Sequence, residues 1–546
     1  MAFPRRRAPM LPRIEKKSVF KTYTEAAITY ALIATGFLTI AVFGWWWFSR
    51  GHVPQNFSDT SHAWDYILFA ILTYVVWYQL VTEALTWEVA LWMRHPVHLE
   101  PEAGKRVALL TAFVPGKEPY DVLERTLRHM VAVKYPHDTW LLDEGNDPMA
   151  KHLCDQYGAL HYSRHGRQEF NTEDGQFKRK TKAGNYNSWF HQHGRAYEFV
   201  AQHDVDFVPR EDYLDRTLGY FRDPLVAFVG APQIYGNVQE SWIARGAAEQ
   251  AYGFYGPMQM GFFGLGMQLF VGANHIIRTK AHDDIGGYSG HVVEDHLTGM
   301  RIYRNQWKSV FVPEPLLIGE GPATWSAYFS QQMRWAYGLI DILFRHTPRI
   351  AGRMRISHAL HYVLLQKFYF FGLTQALGIV LLSLYYVFGI QSTSMDLTEL
   401  LIFYPPFLIM QIIIFLWLQR FYIRPRLESG LHIPAKVLNI AAWPIYFIAF
   451  ISALIGKRLN YEVTPKGKAQ DSATPLGLFA AHLIVGIITA AGLGIGILQG
   501  HAAPQLIFWG VLNSLVMLAF FFANFGAHCI AFAKQAWRLY VKQVAA

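Results

Sequence analysis

The sequence predicts a mostly parallel α/β domain inserted between two groups of transmembrane α-helices. Three observations carry that expectation. Hydrophobic residues make up 52% of the 546 residues and charged residues only 16%, which is low in charge for a soluble chain. The apolar residues concentrate in both end regions and leave a mixed, charge-bearing middle. Within that middle, short apolar runs alternate with helix-like stretches, the pattern of strands joined by crossover helices.

The elements follow in chain order. Residues 26–48 run from Ala26 to Phe48 without a charge, long enough to span a bilayer. The length of this run, its Trp45-Trp46-Trp47 end and the lack of a small-residue cleavage site exclude a cleavable signal peptide. A second span covers about 66–82 and extends as a helix towards Met93. The loop at 51–64 carries little positive charge and is expected to face outward. Residues 1–99 therefore read as a cytoplasmic N-terminus and two spans. The formal charge of +9 includes Arg5, Arg6, Arg7, Arg13, Lys16, Lys17 and Lys21, crowded before the first span. Positive charge placed there marks a cytoplasmic anchor at the lipid surface rather than a nucleic-acid footprint.

Residues 100–345 read as a cytoplasmic domain. Val107-Ala108-Leu109-Leu110 and Trp140-Leu141-Leu142 have the character of buried strands, and 120–132 that of a helix. In 346–546 the apolar runs resume at 368–390, 400–419, 437–456, 475–498 and 504–533. Lys534, Arg538 and Lys542 follow the last run, and Lys457, Arg458, Lys466 and Lys468 follow the third; both clusters favour the cytoplasm. Parity is met if 432–456 lies along the inner surface, giving about six spans plus an interfacial helix. Cys154 and Cys529 stand alone, too few for a disulfide framework or a zinc site.

Five short motifs carry chemistry. Asp143-Glu144-Gly145 follows a strand, where open α/β sheets bind ligands. Lys182-Ala183-Gly184-Asn185-Tyr186-Asn187 offers a cation and two amides to a nucleotide, or else a polar loop with a helix cap at Asn187. Asp204-Val205-Asp206 places two carboxylates near a strand end, able to hold a divalent metal or to form a solvated turn. Val293-Glu294-Asp295-His296 suits a general base, or an acidic helix start. Gln331-Gln332-Met333-Arg334-Trp335 offers a phosphate clamp and a platform for a sugar ring, or a juxtamembrane anchor.

Their order, followed by membrane spans, resembles the family 2 processive glycosyltransferases, the group that includes cellulose synthase. There the pattern is D, DxD, (T)ED, QxxRW, and the match runs over residues 100–345. Tyr461-Glu462-Val463-Thr464-Pro465-Lys466-Gly467-Lys468 is similar to the FxVTxK gating loop of β-glucan synthases, which places a gating loop at 459–469. The resemblance implies a GT-A-like domain and an inverting transfer from a UDP-sugar, UDP-glucose foremost, to a growing polysaccharide. It implies that Asp143, Glu144, Lys182, Asp204, Asp206, Arg334, Thr464 and Lys466 bind the nucleotide sugar. Asp204 and Asp206 would also hold Mg²⁺ or Mn²⁺, and Asp295 would be the catalytic base. Glu294, Gln331 and Trp335 would contact the acceptor.

Three residues depart from the pattern. Glu144 stands where a second aspartate is usual, Tyr461 for phenylalanine, and Val293 for the threonine before Glu294. No PilZ-type domain follows the last span, so direct cyclic-di-GMP control through one is not expected. The expected product is a β-glucan: cellulose, mixed-linkage or β-1,3-glucan. Hyaluronan or chitin-like polymers, and transfer of one sugar to a lipid phosphate carrier, are the alternatives. The expected setting is a bacterial inner membrane, with accessory export proteins as further partners and export of the polymer by the same chain.

Overall fold

The computed structural model describes residues 14–49, 51–57, 62–457, 476–501 and 503–544. The gating-loop candidates Thr464 and Lys466 lie outside the described residues.

The central domain is built on a seven-stranded sheet. Its strands, numbered in chain order, are β1 (Val107–Phe113), β2 (Asp138–Asp143), β3 (Leu160–Tyr162), β4 (Phe199–Asp204), β5 (Val226–Gly230), β6 (His275–Arg278) and β7 (Lys308–Phe311). They lie in the order β7-β5-β6-β4-β1-β2-β3. All neighbours pair parallel except β6, which runs antiparallel to both β4 and β5. The fold is thus the mostly parallel, GT-A-like α/β sheet that the sequence implies.

The apolar runs in the strands have a simple cause. Alternate side chains of β1 enter different cores: Val107 and Leu109 pack in one, Ala108 and Leu110 in the other. A strand covered on both faces reads as continuous apolar sequence rather than alternation. The helix expected at 120–132 forms as Tyr120–Val131, burying Val122, Leu123, Leu127 and Met130 on one stripe.

The topology also locates a site. The chain leaves β1 towards β2 and β3, then returns to place β4 on the other side of β1. Ligands in open α/β sheets bind beyond the carboxyl ends of the strands where the order reverses. Here that point lies between β1 and β4, with Ala112 paired to Asp204 and Phe113 to Asp143.

Seven helices among the described residues are long and apolar enough to cross a membrane. They are Tyr23–Trp47, His62–Leu91, Ile356–Phe388, Thr398–Phe421, Ile433–Leu454, Gly477–Gln499 and Leu506–Gly526. Ile433–Leu454 differs from the rest: 56% of its apolar window is buried, against 11 to 33% for the others. Glu249 of the helix Trp242–Gly253 accepts a hydrogen bond from Ala435 N at 3.1 Å, and Gln250 donates to Asn439 at 2.9 Å. Gly246 permits this approach, since a Cβ there would lie 2.6 Å from Leu438 and 3.0 Å from the Pro434 backbone. On its other side, a Cβ at Gly372 would meet Phe447 N at 2.3 Å. This helix is wedged between the α/β domain and the membrane helices.

Candidate active site

A cavity of about 730 Å³ opens at the carboxyl end of the sheet and continues among the membrane helices. Most of the residues singled out in the sequence line it: Lys182, Asp204, Asp206, Glu294, Asp295, Gln331, Arg334 and Trp335.

Asp204 ends β4, and Asp206 follows in the turn. Asp206 is fully buried and accepts a hydrogen bond from Glu320 N at 3.2 Å. Lys182 approaches from the first turn of the helix Lys182–His193, its Nζ 2.5 Å from Asp204 Oδ1 and 2.5 Å from Gly272 O. The polar loop considered for 182–187 is therefore a helix. Thr181 caps it by accepting from Gly184 N, and Asn187 lies inside it, bonded to the backbone of Gln176 and Tyr288. Two carboxylates at a strand end, one buried and one balanced by an ammonium, form an all-oxygen donor pair suited to a hard divalent cation.

Glu294 and Asp295 open the helix Glu294–Arg304. Asp295 accepts from Gly272 N at 2.9 Å and His296 N at 2.7 Å, so both carboxylate oxygens are oriented by backbone. Burial raises the pKa of Asp295, opposed by those backbone bonds and by Lys182 and Arg334. Burial and then the charge of Asp295 raise Glu294. Adjacent buried carboxylates resist double ionisation, which makes the pair a place to hold or accept a proton.

Gln331, Arg334 and Trp335 sit on the helix Trp325–Asp341 at positions i, i+3 and i+4, hence on one face. That face explains the spacing of the motif. Gln332 also borders the cavity, where it accepts from Tyr446 of the wedged helix at 3.0 Å.

Asp143 and Glu144 are placed differently. Asp143 is fully buried, and its carboxylate accepts from Gly145 N at 2.9 Å, Asp147 N at 2.5 Å and His161 Nε2 at 3.1 Å. Glu144 pairs with Arg164 through two bonds of 2.7 and 3.0 Å. Neither residue is among those lining the cavity.

Sequence reasoning missed Glu118 and Glu320, which also line the cavity. Glu118 accepts from Val114 N at 2.8 Å, just beyond β1, and Glu320 pairs with Arg125 at 3.0 Å. Their signal was position: each follows closely on a strand at the same end of the domain. A further group, His291, Asp341 and His346, has ligand atoms within 4.8 Å of one another. Arg345 also donates to Asp341, and His291 Nε2 lies 3.1 Å from that carboxylate. These bonds describe a hydrogen-bonded cluster of His291, Asp341 and Arg345 with His346 beside it.

Residues 199–419 match the family model for Glycosyl transferase family group 2. A catalytic cellulose synthase chain of Dictyostelium discoideum is 35% identical over 173 residues, 31% of this chain and 16% of that protein. The cellulose synthase catalytic subunit of Xanthomonas axonopodis pv. citri is 24% identical over 344 residues, 61% of this chain and 45% of that one. The chain thus spans less than half the length of these curated relatives. Among solved structures, a mannosyltransferase from Pyrobaculum calidifontis in complex with GDP-Man and Mn²⁺ superposes with a TM-score of 0.47 at 13% identity. That comparison covers 72% of this chain and 100% of the other. Residues 199–419 thus carry a family 2 glycosyltransferase domain, and the motif order makes the chain similar to the cellulose synthase catalytic subunits.

Proposed function

We propose that this chain is a processive, inverting glycosyltransferase that polymerises UDP-glucose into a β-glucan and passes the polymer into its membrane half. One observation carries the reading. The same cavity is lined by Asp204 and Asp206, by Asp295, by Arg334 and Trp335, and by Tyr369 and Tyr446 of the membrane-associated helices.

Each side chain has a task in that reaction. Asp204 and Asp206 would hold Mg²⁺ or Mn²⁺, which neutralises charge on the diphosphate. Lys182 and Arg334 add cationic contacts to the leaving diphosphate, where charge develops during transfer. Asp295, a carboxylate made more basic by burial and aimed by two backbone amides, takes the proton from the acceptor hydroxyl. That oxygen forms the new bond to the anomeric carbon as the bond to UDP breaks. Trp335 stacks on the terminal acceptor sugar, and Glu294 and Gln331 orient it. Asp143 holds the loop after β2 by accepting from Gly145 N and Asp147 N. Thr464 and Lys466 close over the diphosphate by analogy with the gating loop.

The wedge position of Ile433–Leu454 supports six spans plus an interfacial helix, and the Lys and Arg clusters beside the spans favour a cytoplasmic catalytic domain. Aromatic side chains along the inner cavity suit a sugar chain, because they offer apolar faces without deep polar traps. The test is a panel of radiolabelled UDP-sugars given to membrane vesicles, followed by digestion with linkage-specific glucanases. Label from UDP-glucose in a glucanase-sensitive polymer is the expected result. Label confined to a single-sugar lipid would replace this reading with transfer to a lipid phosphate carrier.

A further inference from the structure

Glu144 is one of the three residues at which the sequence departs from the family pattern, and its surroundings explain its departure. Arg164 follows β3 and is completely buried. Its Nε donates to Glu144 Oε2 at 3.0 Å and its Nη2 to Glu144 Oε1 at 2.7 Å, a two-pronged pair. The remaining N–H groups are also engaged. Nη2 donates to Thr181 O at 3.2 Å, and Nη1 donates to Phe170 O at 3.0 Å and to Lys178 O at 3.1 Å. A guanidinium has five N–H donors in a rigid fork, and here every one meets an acceptor.

These acceptors are spread along residues 170–181, the segment that leads into the helix bearing Lys182. Thr181 both caps that helix at Gly184 N and donates its hydroxyl to Lys178 O at 2.7 Å. Gly184 is required by the same packing. A Cβ at that position would lie 2.2 Å from Lys178 O and 2.7 Å from Arg164 Nη1. The arginine therefore sets the start of the helix, and the start of the helix sets where Lys182 meets Asp204.

We propose that Glu144 and Arg164 are positioning residues that aim Lys182 at the diphosphate site, and that Glu144 makes no contact with the nucleotide. The assignment rests on the proposed sugar-nucleotide chemistry. The longer glutamate supplies the reach to both prongs of Arg164.

Glu144→Asp discriminates between the two roles, because it restores the residue usual at a nucleotide-contacting position while shortening the arm to Arg164. UDP affinity is measured by calorimetry on the detergent-solubilised full chain, alone and in combination with Lys182→Met. The expected result is UDP binding weakened on the order of tenfold, about the loss of one charge-assisted hydrogen bond. The Glu144→Asp/Lys182→Met chain should then bind no more weakly than Lys182→Met alone. Unchanged affinity in Glu144→Asp, or losses that simply multiply in the double variant, would overturn the assignment.

Hydrogen exchange gives a second readout that needs no ligand. The amides of Thr172 and Arg179 are bonded within the segment, to Phe177 O at 3.1 Å and Thr172 O at 2.9 Å. Arg164→Lys, which keeps the charge and loses the fork, should speed their exchange while β1 and β4 stay protected. If those amides exchange as in the parent chain, the hub is refuted. If the parent chain itself binds no UDP, the proposed function fails, and the exchange result still decides the hub. Should Glu144→Asp not fold, the same calorimetric cycle with Arg164→Lys replaces it.

Discussion

Two acidic pairs follow the parallel strands that flank β1 on either side, and the structure uses them in opposite ways. Asp143 and Glu144, after β2, direct their carboxylates inward to backbone amides, His161 and Arg164. Asp204 and Asp206, after β4, line the cavity together with Lys182. Both pairs satisfy the rule that acidic residues at strand ends mark a ligand site. The difference is position relative to the reversal of strand order, which lies between β1 and β4 and not beside β3. A strand-end carboxylate at the reversal faces the cavity; one strand further out, it is engaged in holding the loops beside it.

Substitutions can break or sharpen this contrast. The largest effect is expected for Asp295→Asn, which keeps the shape of the residue and removes the base. Turnover should fall about 10²- to 10⁴-fold, the usual contribution of a positioned general base. UDP affinity should be retained, and normal polymer output would remove Asp295 from the role. Asp206→Asn should lower turnover by about 10²- to 10³-fold through weaker stabilisation of the leaving diphosphate. Its melting temperature should change less than that of Glu144→Ala. The latter leaves Arg164 buried without its partner, a change that costs about 3–5 kcal/mol in comparable buried pairs. If melting ranks these two variants the other way, the division into cavity-facing and loop-holding carboxylates is wrong.

Trp335→Ala should act mainly on the acceptor. Loss of one aromatic–sugar stack, about 0.5–1.5 kcal/mol, corresponds to a few-fold shorter product at unchanged affinity for UDP. Gel sizing of the labelled product would show it. The smallest effect concerns pH. Burial raises the folded-state pKa of both Glu294 and Asp295, so the folded chain binds protons that the unfolded chain has released. Their contribution to stability is therefore present at low pH and is lost as pH rises through the raised values. Turnover should run the opposite way, with an acidic limb above the ordinary aspartate pKa of about 3.9 because Asp295 must be ionised to accept a proton. In Glu294→Gln, the fall in ligand-free stability between acid and neutral pH should be smaller than in the parent chain.

Much of this was legible in the sequence for identifiable reasons. Strands such as β1 are covered on both faces, so burial wrote itself as an apolar run over Val107–Leu110. Gln331, Arg334 and Trp335 keep helical spacing because a single face of one helix lines the cavity. Arg164 was not legible. An arginine in a polar stretch reads as solvated, and its acceptors come together only when β2, β3 and residues 170–181 are assembled. Glu118 and Glu320 were missed for a related reason, since neither belongs to a pattern until the sheet places both at the cavity. Hydropathy likewise treats Ile433–Leu454 as one more span; its bonds to Glu249 and Gln250 set it apart.

The central claim is that one cavity joins sugar transfer to passage through the membrane half. It is tested most directly with the purified full chain in sealed proteoliposomes, given labelled UDP-glucose and Mg²⁺ or Mn²⁺ on the outside only. The expected result is a long, glucanase-sensitive polymer inside the vesicles, protected from added glucanase until detergent is supplied. Polymer found wholly outside would contradict the joined cavity, and no transfer from any UDP-sugar would contradict the enzyme itself.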